Sequence, residues 1–343
     1  MTLAKADSFH PWVIAIEGGE DPAWEKWRAD LREGLEKLGW VVGFLHLSKD
    51  QPEVNLLARR APFLDCDLLL IVGKVQDPLI RLNCCDPETD APPLADRDRA
   101  WTAQIGTTRS EGTAPQKPVF GREDLQGLLC ALGDVLATRL AETPLYGLIL
   151  AGGHSRRMQQ DKALIHYHGQ SQLVHSYQLL SHLCQTVLIA CRESQAEQDW
   201  PLFPELPALP WSYDRIPELG PLGGILTAMM AHPHAAFLVV AVDLPWLDLA
   251  TLAHLIQVRK PLGPATAYLS SSDGLPEPLC AIYEPRMRER LFAFWGLGLT
   301  CPRKALIHSA THLVPLPEAF RLDNANTPDD FGAISRALKR EQK

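Results

Sequence analysis

Residues 145–150, Leu-Tyr-Gly-Leu-Ile-Leu, form a nearly unbroken apolar run that leads straight into Ala151-Gly152-Gly153. A strand that is apolar on both sides must be covered on both sides, so this run belongs in the interior of a sheet. Similar runs stand at 186–190, 237–242 and 265–269. Between and beyond them lie helical patterns at 172–184, 223–231, 249–258, 286–294 and 329–340. Alternating strands and helices with short connections predict an α/β fold: a doubly wound, mostly parallel, Rossmann-like sheet with helices on both faces.

The preceding stretch is α/β as well. Residues 12–16 read as a strand, 22–38 as a helix with Trp24, Trp27, Leu31, Leu35 and Leu38 at helical spacing, and 41–47 and 67–72 as strands. Residues 74–117 are rich in Pro, Asp and Thr and hold loops plus a short strand at 102–105, with another at 118–120. A helical pattern at 123–141 precedes Glu142-Thr143-Pro144, which reads as a linker. At 343 residues the chain is long enough for two domains, set at 1–142 and 145–343.

The bulk numbers exclude some functions. A formal net charge of −8 argues against a general nucleic-acid binder, which needs a basic face. No apolar run approaches the ~18 residues of a membrane span, and the N-terminus lacks the apolar core of a secretory signal. The eight cysteines form no CxxC pair, which points to reduced thiols in a cytoplasmic protein.

The loop after residue 150 carries the chemistry. Gly152 and Gly153 let the backbone bend sharply, and Arg156, Arg157 and Lys162 add three positive charges within seven residues. Arg forks onto phosphate oxygens, Lys acts as a point charge, and backbone N–H groups of 151–153 and 220–224 could form anion nests. Asp161 either orients Lys162 or caps a local turn. There is neither GxxxxGK[ST] nor GxGxxG here. Asp243 ends the apolar run 237–242, at the sheet edge where α/β proteins bind ligands, and suits Mg²⁺. Asp248 reads better as a helix N-cap before Leu249. His166 and His168, beside a Gly169 turn, suggest no third metal ligand.

The stretch L-A-G-G-x-S-x-R-M-x-x-D-K resembles the signature of the molybdenum cofactor guanylyltransferases, the MobA family. Glu218-Leu-Gly-Pro-Leu-Gly-Gly224, Val240-Ala-Val-Asp-Leu-Pro245, Pro276-Glu-Pro-Leu-Cys-Ala-Ile-Tyr283 and Asn324-Ala-Asn-Thr-Pro328 follow in family order, so the resemblance spans about 146–338. It implies transfer of a guanylyl group from GTP to the terminal phosphate of molybdopterin, with Mg²⁺ as cofactor and pyrophosphate released. It also implies roles for single residues. Lys162, Arg157 and Asp243 would carry catalysis, with Asp243 on the metal. Leu150, Ala151, Gly152, Gly153, Lys162, Asp214, Gly220 and Gly223 would bind nucleotide, and Asn324 and Asn326 the acceptor. The bland reading of the last two is a turn into a helix capped by Thr327. Molybdoenzymes or cofactor-insertion chaperones are the implied protein partners.

Two positions depart from the family. Gln159 stands where a Gly is usual, and Ala190-Cys191-Arg192 replaces an Asn or Ser in the pocket. Gly153 favours the guanylyl over the cytidylyl subgroup. The first domain resembles a degenerate MobB, a P-loop GTP-binding partner. Its first loop reads Glu17-Gly-Gly-Glu-Asp-Pro22, with three acids and no Lys, which should repel phosphate. Three activities therefore compete: a guanylyltransferase, a cytidylyltransferase of the same fold, and a non-catalytic carrier of the finished cofactor.

Overall fold

The computed structural model describes residues 12–18, 22–47, 66, 68–73, 80–84, 101–105, 118–152, 161–196, 200, 211–216, 219–325, 330–332, 334, 336 and 337. The chain divides into two compact units, Met1–Glu142 and Thr143–Lys343.

In the first unit β1 (Trp12–Gly18), β2 (Val42–His46), β3 (Leu68–Val72), β4 (Ile80–Cys84), β5 (Trp101–Ile105) and β6 (Val119–Phe120) form a six-stranded sheet in the order β2-β3-β1-β4-β5-β6. Every neighbouring pair is parallel. Helix α1 (Ala23–Lys37) buries Trp24, Trp27, Leu31 and Leu35 on one stripe. Helix α2 (Leu125–Ala141) is capped by Asp124, whose carboxylate accepts the Gly127 N–H. The strand β4 is absent from the expected set, because Arg81 and Asn83 interrupt its apolar pattern.

In the second unit β7 (Leu145–Leu150), β8 (Thr186–Cys191), β9 (Trp211–Tyr213), β10 (Ala236–Ala241), β11 (Ala265–Leu269), β12 (Pro276–Tyr283) and β13 (His312–Pro315) build a sheet in the order β13-β11-β12-β10-β7-β8-β9. The pairs among β7, β8, β9 and β10 are parallel, as is β11 with β13, while β12 runs antiparallel to both neighbours. Successive side chains of β7 point to opposite faces, Ile149 to one core and Leu148 and Leu150 to the other. On the first face lie α3 (Gln172–Ser181) and α5 (Leu249–Gln257), through Leu173, Leu180, Leu252 and Leu255. On the other lie α4 (Pro221–Ala231), α6 (Met287–Gly296) and α7 (Pro302–Ile307), through Ile225, Leu226, Met287, Leu291 and Leu306.

This topology fixes where a ligand can bind. β8 and β9 lie on one side of β7, and β10 on the other, so the chain reverses direction across the sheet between β7 and β10. The connections there diverge and leave a crevice beyond the carboxyl ends of the strands. Leu150 pairs with Ala241, so the residues after both strands emerge side by side into that crevice. No described helix is long and apolar enough to cross a membrane.

Candidate active site

The Lys162 ammonium and the Asp243 carboxylate meet across this crevice, Nζ to Oδ2 at 2.7 Å. Each is reached by a short structural device. Lys162 opens a 3-10 turn (Lys162–Leu164) whose N-cap is Asp161, its carboxylate accepting the Ala163 N–H at 3.0 Å. Of the two sequence readings for Asp161, capping is therefore present. Asp243 follows β10, and its own carbonyl accepts the Ala325 N–H at 3.1 Å. The Lys162 and Asp243 side chains keep 19% and 21% of their surface exposed, enough to be reached from the cleft.

The cleft has a volume of about 210 Å³. Of the sequence-selected residues, Leu150, Ala151, Gly152, Lys162, Asp214, Gly220 and Asp243 line it. Gly223 does not: a Cβ there would sit 2.9 Å from the Ile216 carbonyl oxygen, so this glycine lets the start of α4 pack closely. Gly224 lines the cleft in its place. Gly220 is the N-cap of α4 with φ 57° and ψ −139°, and Pro221 occupies the first helical position. The positive end of α4 thus faces the cleft, where it favours electron-rich ligand atoms. Gly153, Arg156, Arg157, Gln159 and Asn326 lie outside the described residues. Asn324 is exposed and stands next to Ala325, so its segment is tied to the Asp243 turn.

One expectation needs correction. The Ala151 and Gly152 N–H groups both donate to the Ala190 carbonyl, at 2.9 and 3.0 Å. They join β7 to β8 and are not available as an anion nest. What Gly152 supplies is space, since a Cβ there would lie 3.3 Å from Asp214 Oδ2.

Asp214 enters from the end of β9, where its N–H donates to the Cys191 carbonyl. Burial pushes its carboxyl up to about 6, and the nearby Arg192 charge draws it back down. Its Oδ1 is buried and has no hydrogen-bond partner among the described residues. A buried acceptor of that kind is poised for a ligand donor.

Sequence reasoning missed the scaffolding around the pair. Gln172, fully buried, donates to the Leu244 carbonyl at 3.2 Å, and His168 Nε2 bonds the Pro245 carbonyl at 2.9 Å. His168 also stacks on His175 at 3.8 Å. His168, stacked on His175, thus braces the turn after Asp243. The contacts join residues more than 70 positions apart, and no local pattern announces them.

A strand-end lysine and carboxylate, flanked by a glycine turn and a helix N-terminus in the crevice of a doubly wound sheet, define a phosphate-handling α/β enzyme. Residues 147–311 match the family described as the MobA-like NTP transferase domain. A molybdenum cofactor biosynthesis bifunctional protein from Synechocystis sp. is 39% identical over 197 residues, covering 57% of this chain and 55% of that protein. This chain thus spans about half the length of that relative. A probable molybdenum cofactor guanylyltransferase from Rhodopirellula baltica is 31% identical over 198 residues, covering 56% of this chain and 92% of that one. The crystal structure of molybdopterin-guanine dinucleotide biosynthesis protein A from Archaeoglobus fulgidus aligns with a TM-score of 0.48 at 23% identity, over 57% of this chain and 99% of that one. The chain belongs to the MobA-like NTP transferase family, and its second unit is a nucleotidyltransferase.

Proposed function

We propose that residues 143–343 transfer GMP from GTP to the terminal phosphate of molybdopterin. The acceptor phosphate oxygen forms a bond to the α-phosphorus, the bond from that phosphorus to the β-phosphate bridging oxygen breaks, and pyrophosphate leaves. A phosphate monoester has a second pKa of ~6, so the nucleophile is already ionised at neutral pH and needs no general base. The protein's task is to hold two polyanions together and offset the charge that develops.

The Lys162–Asp243 pair at the mouth of the β7/β10 crevice is the observation that carries this reading. Lys162 sits where it can neutralise the polyphosphate. Asp243 would hold Mg²⁺, and the fit is good: its carboxylate lines the cleft and offers the hard oxygen such an ion takes. Such an ion takes one or two protein carboxylates and completes its shell with phosphate and water. When bound, the ion supplies positive charge to the phosphate oxygens. Arg157 would add a second cation, and Asn324 and Asn326 would hold the acceptor. Asp214, with its unsatisfied oxygen, suits the N–H edge of a guanine. Recipient molybdoenzymes or insertion chaperones would take the product, in the cytoplasm.

For the first unit we propose a degenerate MobB-like domain that binds no nucleotide. Its crevice lies between β1 and β4, where Glu17 and Arg81 form an ion pair with side chains 15% and 9% exposed. Glu17, Glu20 and Asp21, three acids in and beside the loop after β1, would repel phosphate.

The test is turnover of the purified chain with molybdopterin, Mg²⁺ and each nucleoside triphosphate, followed by pyrophosphate release. Release with GTP alone is expected. Release with CTP alone would reassign the base, and no release with any nucleotide, alongside tight binding of the finished cofactor, would make the protein a carrier.

A further inference from the structure

We propose that Gln195 is a positioning residue for nucleotidyl transfer, acting by tying both ends of the glycine-rich loop to the segment that follows β8. Its side chain has no solvent exposure. One amide nitrogen, Nε2, donates to the Ala151 carbonyl at 3.1 Å and to Asp161 Oδ2 at 2.7 Å. Ala151 leads into the loop, and Asp161 leads out of it immediately before Lys162. Residues 151 and 161 are ten positions apart along the chain, yet a single trigonal nitrogen spans them.

The chemistry of the contacts explains why an amide stands there. Both partners are acceptors only, so the residue between them must present two N–H groups from a compact head. Reversing the amide would set Oε1 against two oxygens, which fixes its orientation. Lys or Arg could also donate, but would bring a buried charge into a space already holding the cleft's working cation.

Asp161 receives a second side chain as well. Trp200 Nε1 donates to the same Oδ2 at 2.6 Å, while Oδ1 caps the Lys162 turn through Ala163 N–H. The carboxylate is thus held on one side by Gln195 and Trp200, and on its other side holds the turn. The next residue reaches Asp243 at 2.7 Å. A chain of hydrogen bonds therefore runs from the segment after β8 through Asp161 to the backbone that presents Lys162. Displacing the carboxylate would let that turn drift, and the ammonium with it.

This inference rests on the reading of Lys162 as the polyphosphate partner, so its test must separate the two. The variant Gln195→Met keeps the side-chain length and removes both N–H donors. Dissociation constants for GTP and for CTP, each with Mg²⁺, are measured by calorimetry on the full chain, and KM and kcat are normalised to titrated active sites. Expected is a nucleotide dissociation constant and per-site KM raised by ~10–100-fold, the loss typical of removing a partner that orients a site residue. Trp200→Phe keeps an aromatic ring and removes the other donor to Oδ2, so it should shift the same constants in the same direction, by less. Asp161→Asn combined with Gln195→Met should lose no more than the worse single variant. A merely structural Gln195 would lower the melting temperature and the active fraction while leaving the dissociation constant and per-site KM at wild-type values, and that result overturns the proposal. If Gln195→Met fails to fold, Trp200→Phe decides by the same criterion. If the wild-type chain turns over no nucleotide, the guanylyltransferase reading falls, while the binding comparison still decides the role of Gln195.

Discussion

A methyl group at Gly152 and one at Gly223 meet different surroundings, and the two variants should fail in different ways. At Gly152 the added carbon would point at Asp214 Oδ2, 3.3 Å away, on the wall of the cleft. Gly152→Ala should therefore raise KM for the nucleotide with little change in melting temperature. At Gly223 the obstacle is the Ile216 carbonyl, 2.9 Å away, and backbone cannot step aside cheaply. Gly223→Ala should cost ~1–3 kcal/mol in chemical denaturation, the usual range for overpacking. Asp214 brings a pH dependence. Burial raises its carboxyl to about 6, so in the unliganded protein ionising it costs stability as pH rises from the ordinary carboxyl range toward 6. A base N–H binds the ionised form, so nucleotide affinity should strengthen as pH rises through about 6. Calorimetric affinities at several pH values check this, with Asp214→Asn expected to lack that component. At Asp243 the loss should be larger: Asp243→Ala should lower kcat by ~10²–10³-fold or more, as removal of a charge-stabilising group does.

Among the elements, a buried ion pair links the segment after α5 to the segment after β12. Glu284 is 1% exposed and accepts two bonds from Arg259, at 2.7 and 2.8 Å. Burial alone raises its carboxyl, and the guanidinium opposes that. Arg259→Ala strips both hydrogen bonds from a buried acid and leaves the Arg286 charge to offset part of the loss, so urea unfolding should show a cost toward the lower end of ~3–5 kcal/mol. The pair was not visible in the sequence, since its partners stand 25 residues apart, in the segments that follow α5 and β12. What was visible follows from burial. β7 and β10 are covered on both faces, so their sequences are continuous apolar runs and their ends are sharp. β12 alternates buried and half-buried residues before becoming fully buried, and its antiparallel direction has no local signature. β9 has three residues and α7 six, too short for any periodicity to register. The site divides along the same line. Lys162 and Asp243 were marked by their places beside a glycine turn and a strand end. Gln172, Gln195 and Trp200 act through contacts between distant segments, which only the folded chain brings together.

At the scale of the whole molecule, one parallel and one mixed sheet each present a crevice, yet their chemistry differs. In the second unit a lysine and a carboxylate face each other on the wall of an accessible cleft. In the first, the corresponding charges, Glu17 and Arg81, are largely buried against each other. The full chain should accordingly bind one Mg²⁺-nucleotide per molecule in calorimetry, and Lys162→Ala should remove that binding entirely; a stoichiometry of two would assign a site to the first unit. The most direct measurement is the structure of the full chain in crystals soaked with GTP and Mg²⁺. The expected result has the triphosphate between the Gly152 turn and Lys162, with the metal on Asp243. A triphosphate bound elsewhere, or Lys162 and Asp243 turned away from a common ligand, would contradict it.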